Sequence, residues 1–520
     1  MRNRPFVIIV FLFIGCLGGC AAVGPNYTKP KMESPAQWSE AREKVQAPMS
    51  LEQTAWWESF DDPILNDLIK QAVQNNLDVK KAQARVLEAR STYGEATASL
   101  WPSAKASGSL TRSRSSENNE SSSAPVSGTT ADTYDVGFDA SWEIDLFGGT
   151  RRKIESARAG ADASVEDLHD TLLTLNGDVA RNYIELRAAQ EQLKITLENA
   201  EAQKRTVELT RERRRIGLTT DIDVIRAEAQ ELATRSDVPT IEASIKKPIH
   251  RLGVLLGKEP NALNAELSES RPLPKAQTLM ATGLPSDLLT RRPDLGRAER
   301  KLAAASADIG VATADLYPKF DLTLGMGLNS STASKLLALS SGYWSLIPEA
   351  GMLLFDAGKT RANIAGKQAI YEESLHEYRS AFLKALEDVE NGLTDYYTEQ
   401  TRLNMLADTI RADEEALVLA NERYRRGLIN FLDVLEAQRT LYAVQSSLRK
   451  SEARVLTSLV SLYKALGGGW NAVELKSRTC FRTFCVFAYH PPHYRIEHLQ
   501  GNFVSKKGLA DGGIKHSKKT

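Results

Sequence analysis

The sequence predicts a mixed α+β membrane protein in which several chains share one β-barrel, carried on very long helices. Three observations predict it: strands with one greasy and one polar face, long proline-free runs, and an internal duplication. In the segment 133–147 every second residue is apolar, through Tyr134, Val136, Phe138, Ala140, Trp142, Ile144 and Leu146. Between them stand Asp135, Gly137, Asp139, Ser141, Glu143 and Asp145. A period of two marks a strand, because successive side chains point to opposite faces. Lipid or core suits the first face and water the second, so Asp135, Asp139, Glu143 and Asp145 are the expected barrel lumen. The segment 319–329 repeats the pattern, with Phe320, Leu322, Leu324, Met326 and Leu328 against Asp321, Thr323, Gly325, Gly327 and Asn329.

The chain opens with Arg2 and Arg4 before an apolar run over 6–17, too short to span a bilayer and suited to a signal-peptide core. That run ends in Leu17-Gly18-Gly19-Cys20, which resembles the lipobox of bacterial lipoproteins. The resemblance implies that 1–19 is removed as a signal peptide and that Cys20 becomes a lipidated N-terminus. Acylation of this kind exceeds the two-signal threshold for stable anchoring. Ala21, standing where an Asp would retain a lipoprotein in the inner membrane, implies by the same resemblance an outer-membrane destination.

Composition excludes several classes. The chain carries 66 acidic and 66 basic residues, which gives no case for a nucleic-acid partner. Beyond Cys20 the cysteines are Cys480 and Cys485, so no disulfide framework or paired-cysteine metal motif holds the body together. No apolar run of 18 residues follows the leader, which excludes a helical membrane protein. Length alone suggests two or three ordinary domains for 520 residues.

The internal duplication organises the rest. Ala96-Thr97-Ala98-Ser99-Leu100-Trp101-Pro102 matches Ala312-Thr313-Ala314-Asp315-Leu316-Tyr317-Pro318, 216 positions later. Asn76-Leu77-Asp78 matches Arg292-Pro293-Asp294 at the same offset. Phe147-Gly148-Gly149-Thr150-Arg151 matches Phe355 with Gly358-Lys359-Thr360-Arg361, and Gly217-Leu218 with Asp223-Val224-Ile225 matches Gly427-Leu428 with Asp433-Val434-Leu435. The repeated unit is helix, strand, strand, long helix, turn, helix, with repeat one at about 61–257 and repeat two at about 285–466.

Both long helices are free of proline, over 150–216 and 359–426. Each gives roughly 100 Å of helix at 1.5 Å per residue. Turns at Gly217 and Gly427 reverse the chain into single helices over 222–256 and 431–466. Two repeats supply four strands, near 103–147 and 318–355, with 103–115 and 343–355 as the weaker-patterned members. Four strands cannot close a membrane barrel, and an open edge in lipid is prohibitive, so several chains must contribute to one barrel. The polar links 114–131 and 330–342 are then exposed loops.

At this point the motifs meet a family. Cys20 with Val23-Gly24-Pro25-Asn26-Tyr27 resembles the start of outer membrane efflux lipoproteins of the NodT/OprM type, within the TolC-like outer membrane factors. So do Trp56-Trp57, Phe60-Asp61-Asp62-Pro63, Arg291-Arg292-Pro293-Asp294-Leu295, Arg423-Tyr424-Arg425 with Phe431-Leu432, and the ending Gly467-Gly468-Gly469-Trp470. The resemblance covers about 20–470. It implies a homotrimer with a twelve-stranded outer-membrane barrel above a periplasmic helical tunnel. It also implies a periplasmic adaptor (membrane fusion) protein and an inner-membrane transporter of the RND type or a related kind as partners. The implied function is a passive exit duct for drugs or other small molecules. Alternatives are a type I protein-secretion duct and a structural trimeric surface lipoprotein without a lumen.

The resemblance also locates a gate. Both reversing turns lie at the far end of the long helices from the strands, so they form the inner mouth. Spacings of three and four put Leu432, Glu436 and Arg439 on one helix face, next to Asp433. By resemblance these are the constriction, with Glu436 where an Asp is usual. Asp223, Arg423 and Tyr424 match the residues whose hydrogen bonds and ion pairs hold the mouth closed.

Other signals fail as chemistry. Gly358-Lys359-Thr360 looks like the end of a phosphate loop, but Leu353 stands where the first glycine is required. His376-Glu377 has Ser380 in place of the second histidine of a zinc helix. The run Arg211-Glu212-Arg213-Arg214-Arg215 precedes Gly217 and reads as a solvated or partner-facing helix end, where cations suit the dipole. No enzyme, metal site or cofactor is expected. Residues 471–520, with His490, His493, His498 and His516, depart from the family and read as an atypical, disordered extension.

Overall fold

A computed structural model describes residues 22–40, 51–114, 116, 130–275 and 287–470. The expectations placed on the leader 1–19, on Cys20, on most of the 114–131 link and on the tail 471–520 lie outside the described residues. In chain order, a 3-10 segment Leu51–Phe60 precedes α1 (Pro63–Asn75), α2 (Leu77–Ala98), β1 (Ser103–Arg114) and β2 (Thr130–Glu143). Then come α3 (Gly149–Arg215), α4 (Asp221–Ser236), α5 (Val238–Leu255) and α6 (Pro293–Ala314). The chain continues through β3 (Lys319–Ser330), β4 (Gly342–Gly351), α7 (Lys359–Arg425) and α8 (Phe431–Ala465).

The duplication is visible in element lengths. Helices α2 and α6 each have 22 residues, and α3 and α7 each have 67. Both long helices start from a left-handed glycine, Gly148 at φ 83° and Gly358 at φ 89°, a conformation that a Cβ disfavours. Each therefore starts from a left-handed elbow, which in the second repeat also takes in Ala357 at φ 54°. The four strands form one antiparallel sheet in the order β1-β2-β3-β4, so β1 and β4 are its edges. The described residues all fall in one compact unit, not in the two or three domains that length suggests.

Three boundaries differ from the sequence reading. Strand β2 closes at Glu143 although its alternation runs on to Leu146. Strand β4 closes at Gly351, short of the expected 355. The first returning helix is two helices, broken at Asp237, where Val238 and Pro239 open α5. A proline has no N–H to donate back to the preceding turn, so it suits the first turn of a new helix and interrupts an old one. Its counterpart α8 runs unbroken for 35 residues.

Among the described residues, three apolar clusters hold the helices. The largest lies halfway along α3 and gathers Leu172, Val179, Tyr183, Ile184 and Leu186 with Trp56, Leu65, Leu68, Leu252 and Leu459. Trp56 stacks on Tyr463 at 5.4 Å and donates its indole N–H to the Gly468 carbonyl at 3.2 Å. A second cluster joins Phe382, Val389 and Leu393 of α7 to Leu295 and Leu462. A small third one, Val207, Ala227, Tyr424, Phe431 and Val434, closes the end farthest from the sheet along the helices.

Candidate functional site: a duct wall and its inner mouth

Strand register assigns the two faces of the sheet. Phe138 lies across from Ala106 and Met326, and Met326 across from Trp344. Ala140 lies across from Ala104 and Leu324, and Leu324 across from Leu346. These rows are bare in the protomer, with Phe138 61% and Trp344 77% exposed. An apolar band of that extent fits hydrocarbon rather than water.

The other face is mainly polar, with Ile347 across from Thr323 as an apolar exception. Asp135 lies between Ser109 and Asn329 and accepts a hydrogen bond from the Asn329 amide at 3.0 Å. Asp139 lies between Lys105 and Gly325, and Glu143 across from Asp321, which itself faces Glu349. A Cβ on Gly137 would come within 2.9 Å of the Tyr343 hydroxyl, and one on Gly327 within 3.0 Å of its ring. The two glycines thus seat an aromatic ring over a weak part of the sheet. Lys105, Glu349 and Tyr343 were not singled out from sequence, because the alternation of β1 and β4 is too weak to show their face.

Asp145 does not belong to this wall. It lies past the end of β2 and accepts from the backbone N–H groups of Thr150 and Arg151 at 3.2 and 2.9 Å, and from Arg151 Nε at 3.2 Å. Its charge starts α3, where a helix favours an anion. Asp356 does the same for α7, accepting from the Thr360 N–H at 2.7 Å and its hydroxyl at 2.6 Å. These bonds hold the Asp356 carboxyl below the usual carboxylate range.

At the far end the two turns are built alike. Gly217 and Gly427 take φ 78° and 73°, and the following Leu218 and Leu428 donate back to Arg213 and Arg423 carbonyls at 2.8 and 3.0 Å. That is a Schellman closure. Asp223 and Asp433 then close reciprocal caps with Thr220 and Asn430 at the starts of α4 and α8. Burial pushes the Asp223 carboxyl up, but hydrogen bonds from Thr219 at 2.7 Å and Thr220 at 2.9 Å outweigh it and hold the carboxyl below its ordinary value.

Within the protomer the expected latch is not assembled. No hydrogen bond or ion pair among the described residues joins Asp223 to Arg423 or Tyr424, and the buried Tyr424 hydroxyl has no partner. What ties the two tips together is Arg213. Its guanidinium lies 4.5 Å over the Tyr424 ring and its Nη1 donates to the Arg425 carbonyl at 3.1 Å. This capping of a helix C-terminus by a cation joins residues 212 positions apart, a separation that no local pattern reports. Arg213→Ala is expected to raise amide hydrogen exchange around Gly427 roughly fivefold, the loss of about 1 kcal/mol, with the sheet unaffected.

Leu432, Glu436 and Arg439 share an exposed face of α8, and no ion pair within 4.0 Å joins Glu436 to Arg439 among the described residues. The other arginines of the 211–215 run are engaged in the chain itself. Arg211 grips Glu228 at 3.0 and 2.7 Å, Arg214 grips Asp221 at 2.6 and 2.8 Å, and Arg215 grips Glu212. Among the described residues no cluster of three His, Cys, Asp or Glu could hold a metal, and no helix is long and apolar enough to cross a membrane.

Comparison with known proteins extends this picture. The family described as outer membrane efflux protein matches residues 68–258 and 284–468. Nodulation protein T of Rhizobium leguminosarum bv. trifolii is 31% identical over 457 residues, covering 88% of this chain and 96% of the relative. The toluene efflux pump outer membrane protein TtgC of Pseudomonas putida is 32% identical over 459 residues, covering 87% and 93%. The solved outer-membrane channel OprN superposes with a TM-score of 0.82 at 34% identity, covering 86% of this chain and all of that one.

Proposed function

The chain belongs to the outer membrane efflux protein family, and we propose that it is the exit duct of a tripartite efflux system, working as a homotrimer. The observation that carries the reading is the register of the sheet: one largely apolar face and one largely polar face on four strands with two open edges. Such a sheet satisfies its backbone in lipid only when β1 of one protomer pairs with β4 of the next. Three copies make twelve strands, and the 67-residue helices below them reach roughly 100 Å into the periplasm. Cargo enters from a periplasmic adaptor coupled to an inner-membrane transporter of the RND type, and the duct catalyses no chemistry. Small molecules are the substrate class, in keeping with the toluene pump component that it resembles. Lipidation at Cys20 anchors the assembly.

Planar-bilayer recording tests the reading. The purified trimer is expected to give discrete, long-lived conductance steps, whereas a lumenless stalk gives none.

The inner mouth is the gate in this reading. Threefold symmetry makes a ring of three carboxylates from Glu436 and an apolar ring from Leu432, with Arg439 one turn further along α8. Asp223, Arg423 and Tyr424 close the mouth across protomer boundaries, with Arg423 exposed on the protomer surface where a neighbour would lie. Charge-paired contacts of this kind contribute a few kcal/mol together, so removing several shifts the mouth toward open. The triple variant Asp223→Ala, Arg423→Ser, Tyr424→Phe is expected to raise single-channel conductance several-fold and to sensitise cells to large antibiotics. Unchanged conductance in a correctly assembled variant would put the latch elsewhere.

A further inference from the structure

The duplication leaves one helix of repeat one without the neighbour that its counterpart has. Helices α2 and α6 start 216 positions apart, at Leu77 and Pro293, and α3 and α7 start 210 apart, at Gly149 and Lys359. Within the chain α6 packs between α3 and α7, whereas α2 packs along α3 and leaves its other flank open. The covered flanks agree, since Val79 and Val86 of α2 are buried as Leu295 and Leu302 of α6 are. The open flank differs. Ala303, Ser306, Ala307 and Gly310 are buried on α6, while Leu87, Arg90, Ser91 and Gly94 at the same positions of α2 are exposed. Spacings of three, four and seven put each set on one helix face.

Two features of that flank point to a missing partner. A Cβ on Gly310 would strike Arg152 Cγ of α3 at 2.8 Å, whereas one on Gly94 would meet nothing within 4 Å. A glycine weakens an exposed helix interior, so Gly94 is explained by a close approach that the protomer does not supply. Charge is matched in the same way. Asp167 of α3 lies between Arg297 of α6 at 2.6 Å and Arg85 of α2 at 3.8 Å. The corresponding residues are Glu377 of α7, Lys81 of α2 and Lys301 of α6, with the sign of charge kept at all three. Glu377 is exposed and has no ion pair within 4.0 Å among the described residues. Lys81 turns back onto Asp78 of its own helix at 2.7 Å.

We propose that the open flank of α2 is the docking surface for α7 of a second copy of this chain, packed as α6 packs on α3. Lys81 then reaches the partner's Glu377, which Lys301 flanks from its own chain, and Gly94 is set against the partner's Ala362, the counterpart of Arg152. The pairing rests on the duct reading and continues the junction of β4 with β1 below the sheet. Helix α7 leaves β4 as α3 leaves β2, and α2 leads into β1 as α6 leads into β3. One level differs: Lys80 and His376 stand where Gly296 lies under Glu166, so the pair at Glu377 carries the polar part of the seam. The ring then has six seams of one kind, three within chains and three between them.

Two measurements on the full chain test the seam. In a Cys480→Ser, Cys485→Ser background, Gly94→Cys combined with Ala362→Cys is oxidised in membranes. On the template of Gly310 and Arg152 the two new sulfurs lie within disulfide reach, so a thiol-reversible covalent trimer is expected on denaturing gels. Neither single substitution is expected to give it. Separately, Lys81→Glu and Glu377→Lys are each expected to lower the yield of native trimer roughly tenfold, by setting like charges together. Combined in one chain they are expected to restore at least half of it, because the pair is re-formed with its signs exchanged. If the wild type forms conducting trimers, absence of the covalent trimer or of the restoration overturns the seam and leaves the duct reading standing. A wild type that neither trimerises nor conducts overturns both.

Discussion

Phe138→Arg is expected to prevent stable trimer insertion, while the neighbouring Asp139→Arg leaves the trimer intact. The two residues are adjacent in β2 and point to opposite faces, one to the band shared with Ala106, Met326 and Trp344, the other toward Lys105 and Gly325. An arginine on the lipid face near the midplane costs about 2–4 kcal/mol, and the cost recurs in every protomer of the barrel. On the water side the same substitution keeps its hydration and costs little. It reverses one charge per protomer in the wall, so the reversal potential under a salt gradient is expected to move toward anion preference. Heat-modifiable trimer on gels and bilayer recording read the two outcomes. Similar behaviour of the two variants would show that the strand register is wrong.

Arg292→Met is expected to lower stability by about 3 kcal/mol, seen as a depressed melting temperature in detergent. The guanidinium forks onto Asp294 at 3.0 and 2.7 Å, reaches Asp388 of α7 at 3.0 Å and donates to the Ala465 carbonyl at 3.1 Å. One side chain therefore joins the start of α6, the middle of α7 and the end of α8, and its removal strands two carboxylates. Arg292→Lys keeps the charge and loses the fork, so a smaller loss is expected. Burial pushes the Asp294 carboxyl up, but the Arg292 bonds outweigh it and the carboxyl lies below its ordinary value. A depressed carboxylate stabilises the fold above its unfolded pKa of about 3.9 and loses that contribution as pH falls through the lower folded value. The wild type is expected to lose stability more steeply than Arg292→Met below about pH 4. Parallel acid limbs would assign the pair no role in linkage.

Some of this was legible in the sequence because its physics is local. The period of two in β2 and β3 and the absence of proline from α3 and α7 each report a single element. The family motifs added the assembly. The break at Asp237 went unread although Pro239 is in plain view, because apolar spacing continues across it and a proline also fits a first turn. The end of β2 went unread because alternation persists to Leu146 while Asp145 has already turned to cap α3. Arg213 over Tyr424, Arg152 over the 22–27 segment and Arg292 across three helices went unread for a shared reason. Each joins residues more than 90 positions apart through one guanidinium, and nothing in composition or spacing encodes such a pairing.

The broken return of the first hairpin and the unbroken return of the second have a mechanical meaning. Bending a continuous helix strains every hydrogen bond along it, whereas the return that carries Pro239 at its break and Pro248 inside its second helix has points where the bond is already missing. Two hairpins of equal length therefore differ in stiffness, one a pair of rods and the other a rod beside a jointed arm. A tube of six identical hairpins would flex evenly around its circumference. Alternating rigid and jointed staves instead gives three compliant seams, and a load at one end deforms the tube along those seams first.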